Sequence, residues 1–218
     1  MPIATTGPRS AHRPSRWHAA GVPISRDHVE ASLRRFARTP LERPDLKPAA
    51  VAITLVADGA AFLLTRRATT LRGHAGQWAL PGGRTDPGEP AGAGARRELA
   101  EELGLGLDAD AELGVLDDYA TRSGYLITPV VLWAGREPVL RPNPVEVAEV
   151  HRVGLDVIDV EPRFVTIAES DAPVIQLPML GRLVHAPTAA VLHQFREVVL
   201  QGRATRVAHY EQPVFAWR

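Results

Sequence analysis

The sequence predicts a mixed α/β fold, and three features predict it. Strand-like and helix-like segments alternate irregularly along 218 residues. Asp58-Gly59 stands between two apolar runs, a strong hairpin signal. A segment of helical periodicity opens at about Pro90 and stops at Gly104. No internal repeat divides the chain.

Taken in order, Arg9, Arg13, Arg16 and Arg26 occur in a first stretch without acids, where Pro2, Pro8, Pro14 and Pro23 would interrupt the helix of a transit peptide. Residues 1–24 are therefore expected to form a disordered basic tail, and residues 25–218 a single domain. Asp27 and Glu30 have capping-box spacing before Val29, Leu33 and Phe36, which predicts a short helix. Ala49–Val56 reads as a buried strand, Ala61–Thr65 as its return, and Thr70–Glu89 as loop. Beyond the helix from Pro90 to Leu103, strands are expected over Glu112–Asp117 and Tyr125–Trp133, with an extended segment from Glu146 to Val150. Pro187 opens a helix whose Val191, Leu192, Phe195, Val198 and Val199 make one apolar stripe, closed by Gly202. A last strand is expected within Val214–Trp217, and the strands are expected to share one sheet.

Composition limits the function. With 45% hydrophobic and 23% charged residues, the chain can bury one substantial core. Formal net charge is zero, so no global positive field favours nucleic acid, and a small-molecule partner is expected. The absence of cysteine excludes disulfides, thiolate zinc sites and thiol nucleophiles, and fits a reducing, cytoplasmic setting. Any metal must then sit on oxygen or histidine. No apolar run has the length of a membrane span, and assembly as a homodimer stays open.

Glu98, Glu101 and Glu102 stand at i, i+3 and i+4, which places three carboxylates on one helix face. On spacing alone a solvated acidic face competes with a site for a hard divalent cation. The surroundings decide between them. Gly83, Glu89, Arg97, Glu98, Leu99, Glu101, Glu102, Gly104 and Leu105 match the Nudix box at every specified position, so the chain resembles the Nudix hydrolases. That resemblance implies an α/β/α sandwich around a mixed sheet and magnesium- or manganese-dependent hydrolysis of a diphosphate linkage. It implies Glu98, Glu101, Glu102 and the carbonyl of Gly82 as metal ligands, Glu89 behind them, and Arg97 as the residue that orients a carboxylate. The general base is open between a box glutamate and Glu146, for which a strand-end surface charge is the plain alternative.

Leu63, Leu64, Thr65, Arg67, Arg72, His74, Gly76 and Pro81-Gly82-Gly83 further resemble the signature of coenzyme A pyrophosphatases. The likeness extends over roughly residues 49–155, and it implies Arg72, His74, Gly76 and Gly83 as substrate-binding positions. Arg67 and Leu80 are read as departures from that signature, and the C-terminal part as atypical. The expected products are 3′,5′-ADP and 4′-phosphopantetheine. ADP-ribose, a dinucleotide or a nucleoside triphosphate is the alternative substrate. A non-catalytic sensing module would ordinarily show a broken box, and this one is intact; decapping of nucleic acid would call for a basic groove that a neutral chain does not advertise.

Overall fold

The computed structural model describes residues 16–18, 23–69 and 76–217. The elements are β1 (Arg16–His18), α1 (Arg26–Phe36), β2 (Lys47–Val56), β3 (Ala61–Arg67), β4 (Trp78–Ala79), β5 (Gly82–Arg84), α2 (Ala91–Leu103), β6 (Glu112–Val115), β7 (Tyr119–Ala120), β8 (Tyr125–Trp133), β9 (Val147–Gly154), α3 (Leu155–Ile158), β10 (Arg163–Ile167), β11 (Ser170–Met179), β12 (Arg182–His185) and α4 (Thr188–Phe195), the last continued by a wider π-helical turn over Arg196–Leu200.

The principal sheet runs β1-β9-β3-β2-β8-β6, with β4, β5 and β7 as short additions. It is mixed: β2 pairs in parallel with β8, and β3 antiparallel with both β2 and β9. Strand alternation sorts its two faces. Ala50, Ala52, Leu63, Val130 and Leu132 pack with Ala95, Leu99 and Leu103 of α2. Ile53, Leu55, Phe62, Leu64 and Val131 pack on the opposite face with Val29, Leu33 and Phe36 of α1 and with α4. Small residues on β2 let α2 lie close. Gly92 and Gly94 weaken that helix by about 1 kcal/mol each. The complete burial of Leu99 and Leu103, each contributing roughly 1.5–3 kcal/mol, offsets this.

Several expectations hold. Ala57, Asp58 and Gly59 all take positive φ and turn β2 into β3, as the Asp-Gly pair predicted. Gly104, also at positive φ, ends α2 and donates its N–H to the Ala100 carbonyl at 2.9 Å. Strand β8 lies inside the sheet, between β2 and β6, as its apolarity required.

Others are corrected. The cap of α1 is Ser25, whose hydroxyl accepts from the His28 N–H, two residues ahead of the Asp27–Glu30 pair. Within the expected tail, β1 pairs in parallel with β9, while residues 1–15 and 19–22 lie outside the described residues. There are two sheets, because β10, β11 and β12 form a separate antiparallel one. Pro173 and Pro178 within β11 hide it from a reading that treats proline as a strand breaker. Val214–Ala216 is a 3₁₀ turn where a strand was expected, and it follows Pro213 with Ala216 N–H bonded to the Pro213 carbonyl.

Behind α4, Glu197 accepts from Arg203 at 2.6 and 2.7 Å, from Arg196 at 2.7 Å and from the Thr205 hydroxyl at 2.9 Å. The bond from Arg203 is the largest of the effects that depress its pKa to about 2. A carboxylate depressed on folding stabilises above its unfolded pKa and loses that contribution as pH falls toward about 2. At neutral pH the contribution is on the order of 3 kcal/mol. Glu197→Gln should therefore melt roughly 5–10 °C lower at pH 7, with the gap to wild type closing between about pH 4.5 and 2. A gap independent of pH in thermal melts would show that the clamp acts by packing alone.

Candidate active site

The box loop and α2 frame a cavity of about 810 Å³. Its floor carries Gly82, Gly83, Glu98 and Glu102, with Arg67 and Glu146 across from them. At Gly83 a Cβ would lie 2.5 Å from a carboxylate oxygen of Glu98, so a side chain there would push that carboxylate from its present place. Gly94 serves the loop in the same way: a Cβ there would meet Thr85 at 2.7 Å and Glu89 at 3.1 Å.

Arg97 organises the loop. Its guanidinium donates to Glu89 at 3.1 and 3.0 Å, to Glu98 at 2.8 Å, to Glu101 at 3.4 Å and to the Arg84 carbonyl at 2.8 Å. Glu89 in turn accepts from the Asp86 N–H, and the Arg97 bond, with that amide, lowers its pKa. Arg97 thus lies among the carboxylates it is expected to orient, and through Glu89 it ties loop to helix.

The three helix carboxylates are not equivalent. Glu102 is 4% exposed, and burial pushes its pKa up to about 8 against the opposing effect of Arg67. Arg67 is its nearest cation, at 4.0 Å. Burial also raises Glu98, partly offset by Arg97, with Glu101 and Glu146 adding repulsion. Glu101 stands apart, its side chain 57% exposed on the flank that Arg97 occupies. Among the described residues, no three acidic or histidine side chains converge closely enough to hold a metal ion.

Glu146 arrives from the turn before β9. The Asn143 N–H donates to the Glu102 carbonyl at 2.8 Å, and the Asn143 carboxamide donates to the Glu146 carboxylate at 3.1 Å. One asparagine thereby fastens the turn to α2 and aims the glutamate; Glu146 is close enough to raise the pKa of both Glu98 and Glu102. Of the other expected positions, Gly76 has positive φ and bonds to the Arg67 carbonyl at 3.2 Å, at the foot of the loop and off the cavity lining. Arg72 and His74 lie outside the described residues.

Sequence reasoning passed over two parts of the site. Arg67 is given no role by the sequence, although a charged residue ending an apolar strand ahead of Pro81-Gly82-Gly83 is the available signal. Of the far wall, Tyr125 and Ile127 fall within the segment of likeness, whereas Pro187, Thr188, Val191 and Gln212 carry no motif.

A family model for the NUDIX domain matches residues 45–176. The chain is 43% identical over 95 residues to an uncharacterized Nudix hydrolase NudL of Photorhabdus laumondii, covering 43% of this chain and 51% of that protein. It is 41% identical over 96 residues to a protein of the same description from Pectobacterium atrosepticum, covering 44% and 50%. The matched segment thus spans about half the length of these relatives. Among solved structures, a MutT/nudix family protein from Enterococcus faecalis superposes with a TM-score of 0.55 at 17% identity, covering 74% of this chain and 64% of that one. This last likeness is one of fold. No helix of the described residues is long and apolar enough to cross a membrane.

Proposed function

The chain belongs to the NUDIX domain family, and from that premise we propose that it hydrolyses a diphosphate linkage in a small nucleotide derivative with the help of a divalent cation. The observation that carries this reading is Glu102, a nearly buried carboxylate at the floor of the cavity whose nearest cation is 4.0 Å away. A buried carboxylate with two others nearby is costly unless a positive charge joins them. Hard oxygen donors suit magnesium or manganese, so the chemistry of the set fits the cation that the family implies. Glu98, Glu102 and the Gly82 carbonyl would hold it, and Glu101 would join them by turning its exposed carboxylate away from Arg97.

When bound, such a cation neutralises diphosphate oxygens and acidifies a water molecule. The protein's own groups do the rest. Arg97 restrains Glu98 and Glu101, and Gly83 admits the substrate's phosphate against the helix without a side chain in the way. Glu146, aimed by Asn143, accepts the proton as water attacks phosphorus and the bridging P–O bond breaks, the bridging oxygen leaving with the second phosphate. Arg67 is placed to meet the negative charge that gathers there.

The substrate proposed is coenzyme A or an acyl derivative, giving 3′,5′-ADP and 4′-phosphopantetheine. Its support is the run from Leu63 to Gly83. With magnesium and a panel of diphosphates, coenzyme A should be split with these two products identified by mass. Arg72→Ala should then weaken coenzyme A hydrolysis about tenfold or more beyond any effect on ADP-ribose, as a lost guanidinium–phosphate contact would. Equal losses would make Arg72 a general phosphate contact. Brisk cleavage of ADP-ribose with coenzyme A untouched would overturn the substrate and keep the reaction.

A further inference from the structure

A cavity of 810 Å³ falls in the range of complete small-molecule sites, larger than a diphosphate needs. The carboxylates account for part of its lining. Tyr125, Ile127, Pro187, Thr188, Val191 and Gln212 line it as well, and the last four lie beyond the segment matched by the family model. They come from α4 and from the strap that follows it.

Gln212 is the most deeply buried polar residue of this wall, and its hydrogen-bond pattern is unfinished. It is 2% exposed and lines the cavity. Its carboxamide oxygen accepts from the Arg122 N–H at 2.6 Å, and only the oxygen can do so, which settles the orientation of the amide. The nitrogen, with two protons to donate, meets no acceptor among the described residues. A clamp holds it there. The Arg122 guanidinium grips the Glu211 carboxylate at 3.1 and 3.2 Å and lies 5.0 Å over the Trp217 ring. The Trp217 indole N–H donates to the Gln212 carbonyl at 2.9 Å. Thr188 closes the wall on the other side through its hydroxyl, 3.4 Å from the Trp78 carbonyl. The nitrogen is not among the fully buried atoms, so it opens to the cavity as a donor whose orientation the fold has already fixed, and a ligand acceptor can replace water there.

We infer that this C-terminal wall is the specificity subsite for the group attached to the diphosphate, with the Gln212 amide nitrogen donating to a carbonyl or ring-nitrogen acceptor that is flanked by apolar surface. The inference rests on the diphosphate reading above and names the part of the substrate that the box cannot recognise. Two moieties share this chemistry, a heteroaromatic base and an amide-linked chain. Gln212 touches neither the phosphates nor the attacking water, so it governs which substrate binds and leaves the bond-breaking step alone.

Calorimetry on the full chain in magnesium buffer, with inorganic phosphate, AMP and 4′-phosphopantetheine as probes, tests it. AMP or 4′-phosphopantetheine should bind wild type at least about tenfold more tightly than phosphate, and Gln212→Met should lose most of that advantage. Phosphate affinity should stay within about twofold, since the variant leaves the carboxylate end intact. Gln212→Glu, which keeps an acceptor for Arg122 and replaces the donor, should show the same loss, and it stands in if the methionine variant fails to fold. The probe whose binding falls identifies the moiety. Binding of neither half-molecule above phosphate, or equal weakening of phosphate, would overturn the subsite. Because binding is read without turnover, failure of the hydrolysis proposal would show separately, as a wild-type protein that binds the probes and cleaves no diphosphate.

Discussion

Glu102→Gln should lower turnover at saturating magnesium by roughly a thousandfold or more, the scale expected when the electrostatic centre of a phosphoryl site is removed. Stability should not fall with it. Glu102 is buried and held up at about 8, so the folded chain bears a cost for its charge that a neutral amide of the same shape does not. The metal-free variant should melt no lower than wild type at neutral pH. Added magnesium should raise the wild-type melting temperature by mass action and leave the variant's nearly unmoved. Wild-type turnover together with a preserved magnesium shift would remove Glu102 from the ligand set. Glu101→Gln makes the internal comparison: its carboxylate is largely exposed and shared with Arg97, so the smaller loss is expected there.

Glu146→Gln should reduce the saturated rate by about 10²–10⁴, the range for loss of a positioned general base. The amide can still receive the Asn143 hydrogen bond through its oxygen, so the turn should keep its place and the melting temperature its value. Rates measured against magnesium concentration separate two roles. A rate that stays depressed at saturation identifies the base; a rate that recovers fully at high magnesium identifies a ligand. An unchanged saturated rate would assign proton transfer to a box glutamate.

Much of the carboxylate-bearing part of the candidate site was legible in the sequence because its parts are local. Gly83 to Leu105 is one loop and one helix, and the helix period alone carries Glu98, Glu101 and Glu102 to the same side. The Asp58-Gly59 turn, the Gly104 stop and the apolar run of β8 are equally short-range signals, and all three appear as expected. The reading of one sheet failed for the complementary reason. In β11 the prolines speak against a strand locally, while pairing with β10 and β12 and packing against α4 favour one.

What the sequence by itself determined, then, is the family, the helix that bears the carboxylates and the class of chemistry they suit. Tertiary structure alone decided how those carboxylates differ. Arg97 draws Glu101 to the surface side, burial raises Glu102, and Asn143 brings Glu146 across from α2. It also decided the far wall, where Thr188 meets Trp78 from 110 residues away and Gln212 meets Arg122 from 90. Periodicity and capping report only the backbone's neighbours within a turn or two. Burial, and with it the charge state of a carboxylate, depends on atoms that the folded chain brings from anywhere along its length.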